Sequence, residues 1–167
     1  MRLFIAILPD DPVREALAEG QDCLRRQAIK GSFPHREDLH LTLAFLGETE
    51  NVAGAKAALA KCRFDPFGLT LTGSGGCFGE LWWAGVEESR PLAALAEELH
   101  QALAAEGFAL EERPFLPHIT LARRLKTDRP PELTLPRRTM TVTRVSLMAS
   151  RPNQNGPRYR EIARTEG

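Results

Sequence analysis

Two short segments of this chain carry the same pattern 78 residues apart: His40-Leu41-Thr42-Leu43-Ala44-Phe45 and His118-Ile119-Thr120-Leu121-Ala122-Arg123. In an extended strand alternate side chains point to opposite faces, so each His shares a face with its Thr while Leu41, Leu43, Ile119 and Leu121 share the other. Each segment therefore offers an imidazole and a hydroxyl side by side, over an apolar underside suited to burial. Two such strands brought together would surround one small space with two imidazoles and two hydroxyls. In-line attack on a phosphodiester asks for that set: a base, an acid, and donors for the non-bridging oxygens. Imidazole, with an ordinary pKa of about 6.5, can be neutral in one copy and protonated in the other at the same pH. A lone His-x-Thr is an ordinary strand sequence. Two copies, each followed by Leu-Ala, make coincidence a poor account.

The copies differ in kind at one place. Five residues after each His stands Phe45 in the first and Arg123 in the second. Phe45 offers a surface on which a nucleoside can stack, and Arg123 a cation for phosphate. Strand parity complicates the second assignment, because positions 118, 120, 122 and 124 share a face and so nominate Arg124. A bulge or a strand end after Thr120 would bring Arg123 to that face instead.

Longer blocks surround the motifs: Arg2-Leu3-Phe4-Ile5-Ala6-Ile7-Leu8-Pro9 at the start, residues 38–47 and 113–123 around the two His, and Gly156-Pro157-Arg158-Tyr159 near the end. With these blocks the sequence resembles the 2H phosphoesterases, defined by paired His-x-Thr-x motifs, and among them the RNA 2′,3′-cyclic phosphodiesterases, also called 2′-5′ RNA ligases. The resemblance covers nearly the whole chain. It implies a bilobal α+β fold, with two pseudo-symmetric lobes of antiparallel sheet flanked by helices and a central cleft. It implies metal-independent hydrolysis of a 2′,3′-cyclic phosphate end to a 2′-phosphate, with no cofactor. His40 would be the acid toward O3′, His118 the base, Thr42 and Thr120 the donors to phosphoryl oxygens, and Arg123 rather than Arg124 the fixed cation. Run backward on a 5′-hydroxyl, the same site would join RNA ends through a 2′-5′ bond without ATP. The expected partner is RNA or a nucleotide with a 2′,3′-cyclic phosphate end. The residues alone do not order the two His. They also leave open a nucleotide- or RNA-binding module without turnover, and a related phosphoesterase acting on a small cyclic nucleotide.

The elements that must position these groups alternate along the chain. Leu3–Leu8 reads as a buried strand, and Asp10 and Asp11 before Pro12 start a helix with Val13, Leu17, Leu24 and Ile29 as core positions. Asn51–Cys62 reads as an Ala-rich helix, and Phe67–Thr72 and Leu81–Val86 as a strand pair across a Gly-rich turn. Pro91–Glu106 is a second strong helix, with Leu92, Leu95, Leu99 and Leu103 on one stripe, Gly107 as its stop, and His100 on the solvated side. Thr139–Ala149 alternates as one long strand and Arg158–Ala163 as a last one, flanking the turn-prone Pro152-Asn153-Gln154-Asn155-Gly156. Each half thus places a long helix before a motif strand. Two similar lobes with a cleft between their sheets would follow, within a single domain spanning 1–167.

Composition fits this reading. At 167 residues and 43% apolar content, the chain can bury a full core without disulfides. Cys23, Cys62 and Cys77 are odd in number and follow no secretory leader, so reduced thiols in the cytoplasm are expected. The apolar runs fall short of a membrane span, and a monomer is expected. Net charge is zero but lopsided: residues 1–122 hold 11 Lys and Arg against 18 Asp and Glu, whereas residues 123–167 hold 11 against 4. A basic final quarter could attract a polyanion. The stretch Gly73-Ser74-Gly75-Gly76-Cys77-Phe78-Gly79 lacks phosphate-loop spacing and reads as a flexible turn. No His or Cys spacing suggests a metal site.

Overall fold

The N-terminal apolar run forms β1 (Arg2–Ile7), buried along both faces from Leu3 onward, as a strand in the interior of a sheet must be. The computed structural model describes residues 1–154 and 156–167. The rest of the chain adds α1 (Asp11–Arg25), β2 (Ala28–Ser32), a 3-10 turn at Arg36–Asp38, β3 (Leu41–Glu48), α2 (Val52–Lys61), β4 (Phe67–Phe78) and β5 (Leu81–Val86). It ends with α3 (Arg90–Ala105), β6 (His118–Thr127), β7 (Thr139–Val142), β8 (Arg144–Arg151) and β9 (Arg158–Glu166). The helices start where capping chemistry puts them. Asp10, Asn51 and Ser89 accept from the backbone N–H groups of Val13, Gly54 and Leu92 at 3.0, 2.9 and 3.2 Å.

All strand pairs are antiparallel, in the order β7-β4-β5-β6-β3-β1-β8-β9, with β2 added to the far end of β6. The two motif strands β3 and β6 are neighbours at the middle of this order. Each leads its own half: β3 with β1, β8 and β9, and β6 with β5, β4 and β7. The fold is therefore α+β and bilobal, with the motifs on its seam. The sheet curls. Only Thr143 separates β7 from β8, although five strands lie between them in the sheet, so the two halves bend toward each other.

One face of the sheet is covered by helices. Leu3, Ile5 and Ile7 of β1 join Leu17 and Leu24 of α1, Leu95 and Leu99 of α3, and Leu121 of β6 in one core shared by both halves. The helix that precedes each motif strand packs under the opposite one: α1 lies against β6 and β7, and α3 against β3 and β4. The other face of β1 carries Phe4 and Ala6, which pack with Met148, Leu8 and Tyr159 in a separate small cluster. That face has no helix over it and holds the site.

Several expectations are corrected. The Gly-rich segment is not a flexible turn: β4 runs through it to Phe78, and only Gly79 and Glu80 turn the chain into β5. Thr139–Ala149 is two strands, because Thr143 leaves the ladder and its carbonyl accepts from the Gly167 N–H at 2.9 Å. Ile29 is no core residue. It lies in β2, beyond the end of α1, with 65% of its surface exposed. In the expected turn at residues 152–156, Gly156 N–H donates to the Asn153 carbonyl at 3.1 Å, while Asn155 lies outside the described residues.

Candidate active site

The two motifs meet through a single antiparallel pair, Leu41 opposite Ile119. These are the residues between His and Thr in each copy, so the local twofold passes through them. Continued one residue each way, that register directs His40 toward Thr120 and His118 toward Thr42. Leu41 and Ile119 are fully buried on the helix side, which turns both His and both Thr toward the open face.

The imidazoles are held in the same way. Nδ1 of His40 bonds the Asp38 carbonyl and Nδ1 of His118 the Leu116 carbonyl, each at 2.7 Å. A carbonyl only accepts, so Nδ1 carries a proton in both rings and Nε2 is the atom left to give or take one. Asp38 is itself fixed: its buried carboxylate accepts from Nε of Arg158 at 2.6 Å, tying the His40 strap to β9. Burial is the chief reason that the His40 pKa lies below its ordinary value; the Asp38 hydrogen bond opposes this, and the Arg123 cation and His118 add to it. That coupling also shows that Arg123 lies close enough to His40 to act on it.

The strand after each Thr carries the same irregularity. Along β3, Ala6 faces Thr42 and Ile5 faces Ala44, which leaves Leu43 as an extra residue. Along β6, Trp83 faces Thr120 and Trp82 faces Ala122, which leaves Leu121 extra. Each is a β-bulge, and it shifts the alternation by one, so that Leu43 and Ala44, and Leu121 and Ala122, are buried in succession. Phe45 and Arg123 are thereby carried to the face of His and Thr. Arg124, nominated by parity, is exposed and sits at φ 53°, past the bulge. The guanidinium of Arg123 has no carboxylate partner among the described residues.

At each bulge a helix side chain bonds the carbonyl of the extra residue. Gln21 of α1, 3% exposed, donates from Nε2 to the Leu121 carbonyl at 3.1 Å and to the Pro34 carbonyl at 2.9 Å. Nε2 of His100 on α3 donates to the Leu43 carbonyl at 3.1 Å. This corrects the expectation of a solvated His100. It also identifies Gln21, whose signal in the sequence was a polar residue on the apolar stripe of Val13, Leu17 and Leu24.

Aromatic rings line both His. Phe4 lies 4.7 Å from His40 and Tyr159 meets it edge-on at 5.2 Å, with the exposed Phe45 ring 6.5 Å from Phe4. Phe78 meets His118 edge-on at 5.4 Å and Trp83 stands 6.0 Å from it. Phe4 and Tyr159 fall in blocks that carried the family resemblance; Phe78 and Trp83 belong to no motif. Among the described residues no three His, Cys, Asp or Glu side chains are gathered as metal ligands would be.

Residues 9–154 match the model of the 2′-5′ RNA ligase superfamily. The chain belongs to this superfamily. It is similar to proteins named RNA 2′,3′-cyclic phosphodiesterase from Geobacillus stearothermophilus, 33% identical over 96% of this chain, and from Thermotoga maritima, 35% identical over 74% of this chain and 70% of its own length. The chain spans 55% of the length of the Geobacillus protein. Among solved structures, two resemble it along nearly their whole length. A Thermus thermophilus protein has a TM-score of 0.86 at 29% identity, covering 99% of this chain and 97% of that one. Escherichia coli LigT complexed with 3′-AMP has a TM-score of 0.85 at 31% identity, with the same coverage.

Proposed function

We propose that this protein is an RNA 2′,3′-cyclic phosphodiesterase that opens 2′,3′-cyclic phosphate ends to 2′-phosphates by two-histidine acid–base catalysis. The observation that carries this reading is the pairing of Leu41 with Ile119, which gathers two imidazoles and two threonine hydroxyls about one twofold, with neither Nε2 bonded to the backbone among the described residues. A cyclic phosphate is strained, so its opening needs only water, a group to take the water proton, and a group to protonate the departing ribose oxygen. Nε2 of His118 takes the proton from water as the oxygen bonds to phosphorus. Nε2 of His40 gives its proton to O3′ as the P–O3′ bond breaks. Thr42 and Thr120 donate to the non-bridging oxygens, and Arg123 balances the charge that grows on them. The reverse, on a 5′-hydroxyl, makes a 2′-5′ bond.

The low pKa of His40 fits this assignment. In the free protein, burial and Arg123 disfavour its imidazolium. A bound phosphodiester anion supplies the opposite charge that restores it, so the acid is armed with its substrate in place. Family resemblance supports RNA as the physiological partner. Three free cysteines support a reducing compartment, the cytoplasm. Among the described residues no helix is long and apolar enough to cross a membrane.

The test is turnover of adenosine 2′,3′-cyclic phosphate with EDTA present, with the product identified by phosphorus NMR. The expected product is the 2′-phosphate, at a rate the chelator does not change. No turnover would overturn the reading, and loss of turnover in EDTA would replace the two-histidine mechanism with a metal-dependent one.

A further inference from the structure

The local twofold through Leu41 and Ile119 is broken two residues before each His. Asp38 stands there in the first motif and Leu116 in the second. Their main chains act alike, since each carbonyl bonds Nδ1 of its His at 2.7 Å. Their side chains do not. Leu116 has 52% of its surface exposed and Asp38 only 7%. The Asp38 carboxylate accepts from Nε of Arg158 at 2.6 Å, and that Arg, at the start of β9, is half exposed. The approach to each His differs as well. Asp38 closes the 3-10 turn, its N–H donating to the His35 carbonyl at 2.8 Å, and the next residue, Leu39, is sunk in the core. The chain enters His118 through an irregular stretch, residues 107–117, whose Arg113 pairs with Glu111 at the surface. Asp38 is held at both its backbone and its side chain, whereas Leu116 faces water.

A fixed carboxylate beside one imidazole gives the two His different work. Around His40, Arg123 and His118 of β6 disfavour the imidazolium, and the rings of Phe4 on β1 and Tyr159 on β9 shield it from water. Asp38 opposes them with its carbonyl and its negative charge. Leu116 brings no charge to His118. An acid must keep its proton until O3′ departs, and a base must start without one. A phosphodiester on the twofold lies between the two rings and favours a cation in either, so the substrate by itself does not choose between them. The carboxylate at position 38 does.

We infer that Asp38, anchored by Arg158, is the positioning residue that assigns the acid to His40 and the base to His118. This deepens the function proposed above and rests on it. Asp38 acts through the His40 ring, which its carbonyl orients and its carboxylate helps to keep protonated.

The native protein is compared with Asp38→Asn, Arg158→Gln and Arg158→Lys by turnover of adenosine 2′,3′-cyclic phosphate across pH and by NMR titration of the His rings. Asp38→Asn keeps the shape and the carbonyl and removes the charge. Losing a facing charge moves a pKa by about one unit or more, so at alkaline pH the protonated fraction of His40, and with it kcat, should fall about tenfold. KM should stay within about twofold, because the interaction lost is not one with the substrate. The deficit should close as pH falls, where His40 is protonated with or without the carboxylate. The His40 titration should move to lower pH and that of His118 should not. Arg158→Gln should repeat the change in weaker form, since a buried carboxylate stripped of its cation does not hold its place, and Arg158→Lys should restore it. A deficit equal at every pH, with the His40 titration unmoved, would overturn the assignment, because the carboxylate would then only brace the turn. Native kinetics in Asp38→Asn would overturn it outright, and native kinetics in Arg158→Gln would remove the anchor. Should Asp38→Asn fail to fold, Arg158→Gln carries the same test from a half-exposed position. If the native protein leaves the cyclic mononucleotide intact, the phosphodiesterase reading fails, while the titration still decides what Asp38 does to His40.

Discussion

At the scale of single residues, the two His-x-Thr units are chemically alike but differ in setting. Both imidazoles donate from Nδ1 to a carbonyl two residues earlier, which leaves Nε2 as the atom able to give or take a proton in both. His40→Ala and His118→Ala should each lower turnover of a nucleoside 2′,3′-cyclic phosphate about 10²-fold or more, the scale of losing a general acid or base. Thr42→Val and Thr120→Val should cost less, since a hydroxyl only stabilises charge; steady-state assays rank the four. The settings diverge because His40 is half-buried beside Arg123, and the loss of solvent first, with the cation after it, depresses its pKa. NMR titration should find the His40 ring deprotonating below the ordinary value of about 6.5, and Arg123→Gln should raise it by removing one cation. The same shift makes stability depend on pH. The unfolded chain takes up a proton at His40 before the folded one does, so stability falls as pH drops below about 6.5, and His40→Gln should flatten that slope in chemical denaturation.

At the scale of elements, matched bulges decide which residues enter the site. Without the extra Leu43 and Leu121, alternation would have turned Phe45 and Arg123 to the helix side and Arg124 to the open face. Arg123→Ala should therefore depress turnover while Arg124→Ala leaves it within about twofold, and Phe45→Ala should weaken binding of all four nucleotides alike by about 1–3 kcal/mol, the worth of a base stacked on an aromatic. Competition assays with the four nucleoside 2′-phosphates measure the last. The bulges are held from behind by Gln21 and His100. Gln21→Leu strands a buried carbonyl, which should cost about 1–3 kcal/mol in thermal or urea unfolding. His100→Leu should cost less, because its bond is only partly buried. A null effect in Gln21→Leu would mean that another donor reaches the Leu121 carbonyl.

At the scale of the whole molecule, the lobes are distinct in the sheet but not in the core. Side chains from both halves pack into one continuous apolar cluster, and each helix braces the motif strand of the opposite half. Urea unfolding should accordingly show one cooperative transition, with fluorescence of Trp82 and Trp83 in one half and circular dichroism of the whole coinciding. Two separated transitions would divide the proposed single domain. The charge asymmetry is also redistributed in space. Basic residues of the final quarter pair with acidic residues of the first part, as in Arg158 with Asp38, Lys126 with Glu80 and Arg137 with Glu87, while Arg123 stays free of such a partner among the described residues. The basic quarter is therefore partly neutralised where it meets the rest of the chain, and it also supplies the half-buried Arg123 beside the two His.

The sequence by itself determined the proposed catalytic inventory, because a repeated His-x-Thr with apolar residues between fixes a face and a burial through the period of the strand alone. It also determined the helices, whose caps and apolar stripes are local: Asp10, Asn51 and Ser89 each start one. It left three things to the tertiary structure. Parity could not choose between Arg123 and Arg124, because a bulge is decided by what the neighbouring strand and helix offer its spare carbonyl, here Gln21 from 100 residues away. The glycines of β4 read as a turn when taken by composition. Only the indole of Trp83 across the hairpin explains why a strand should lack side chains there. The long alternating run from Thr139 read as one strand because alternation says nothing of partners. It divides at Thr143 because its two parts pair with strands of different lobes, and that division closes the curl that brings the halves around the site.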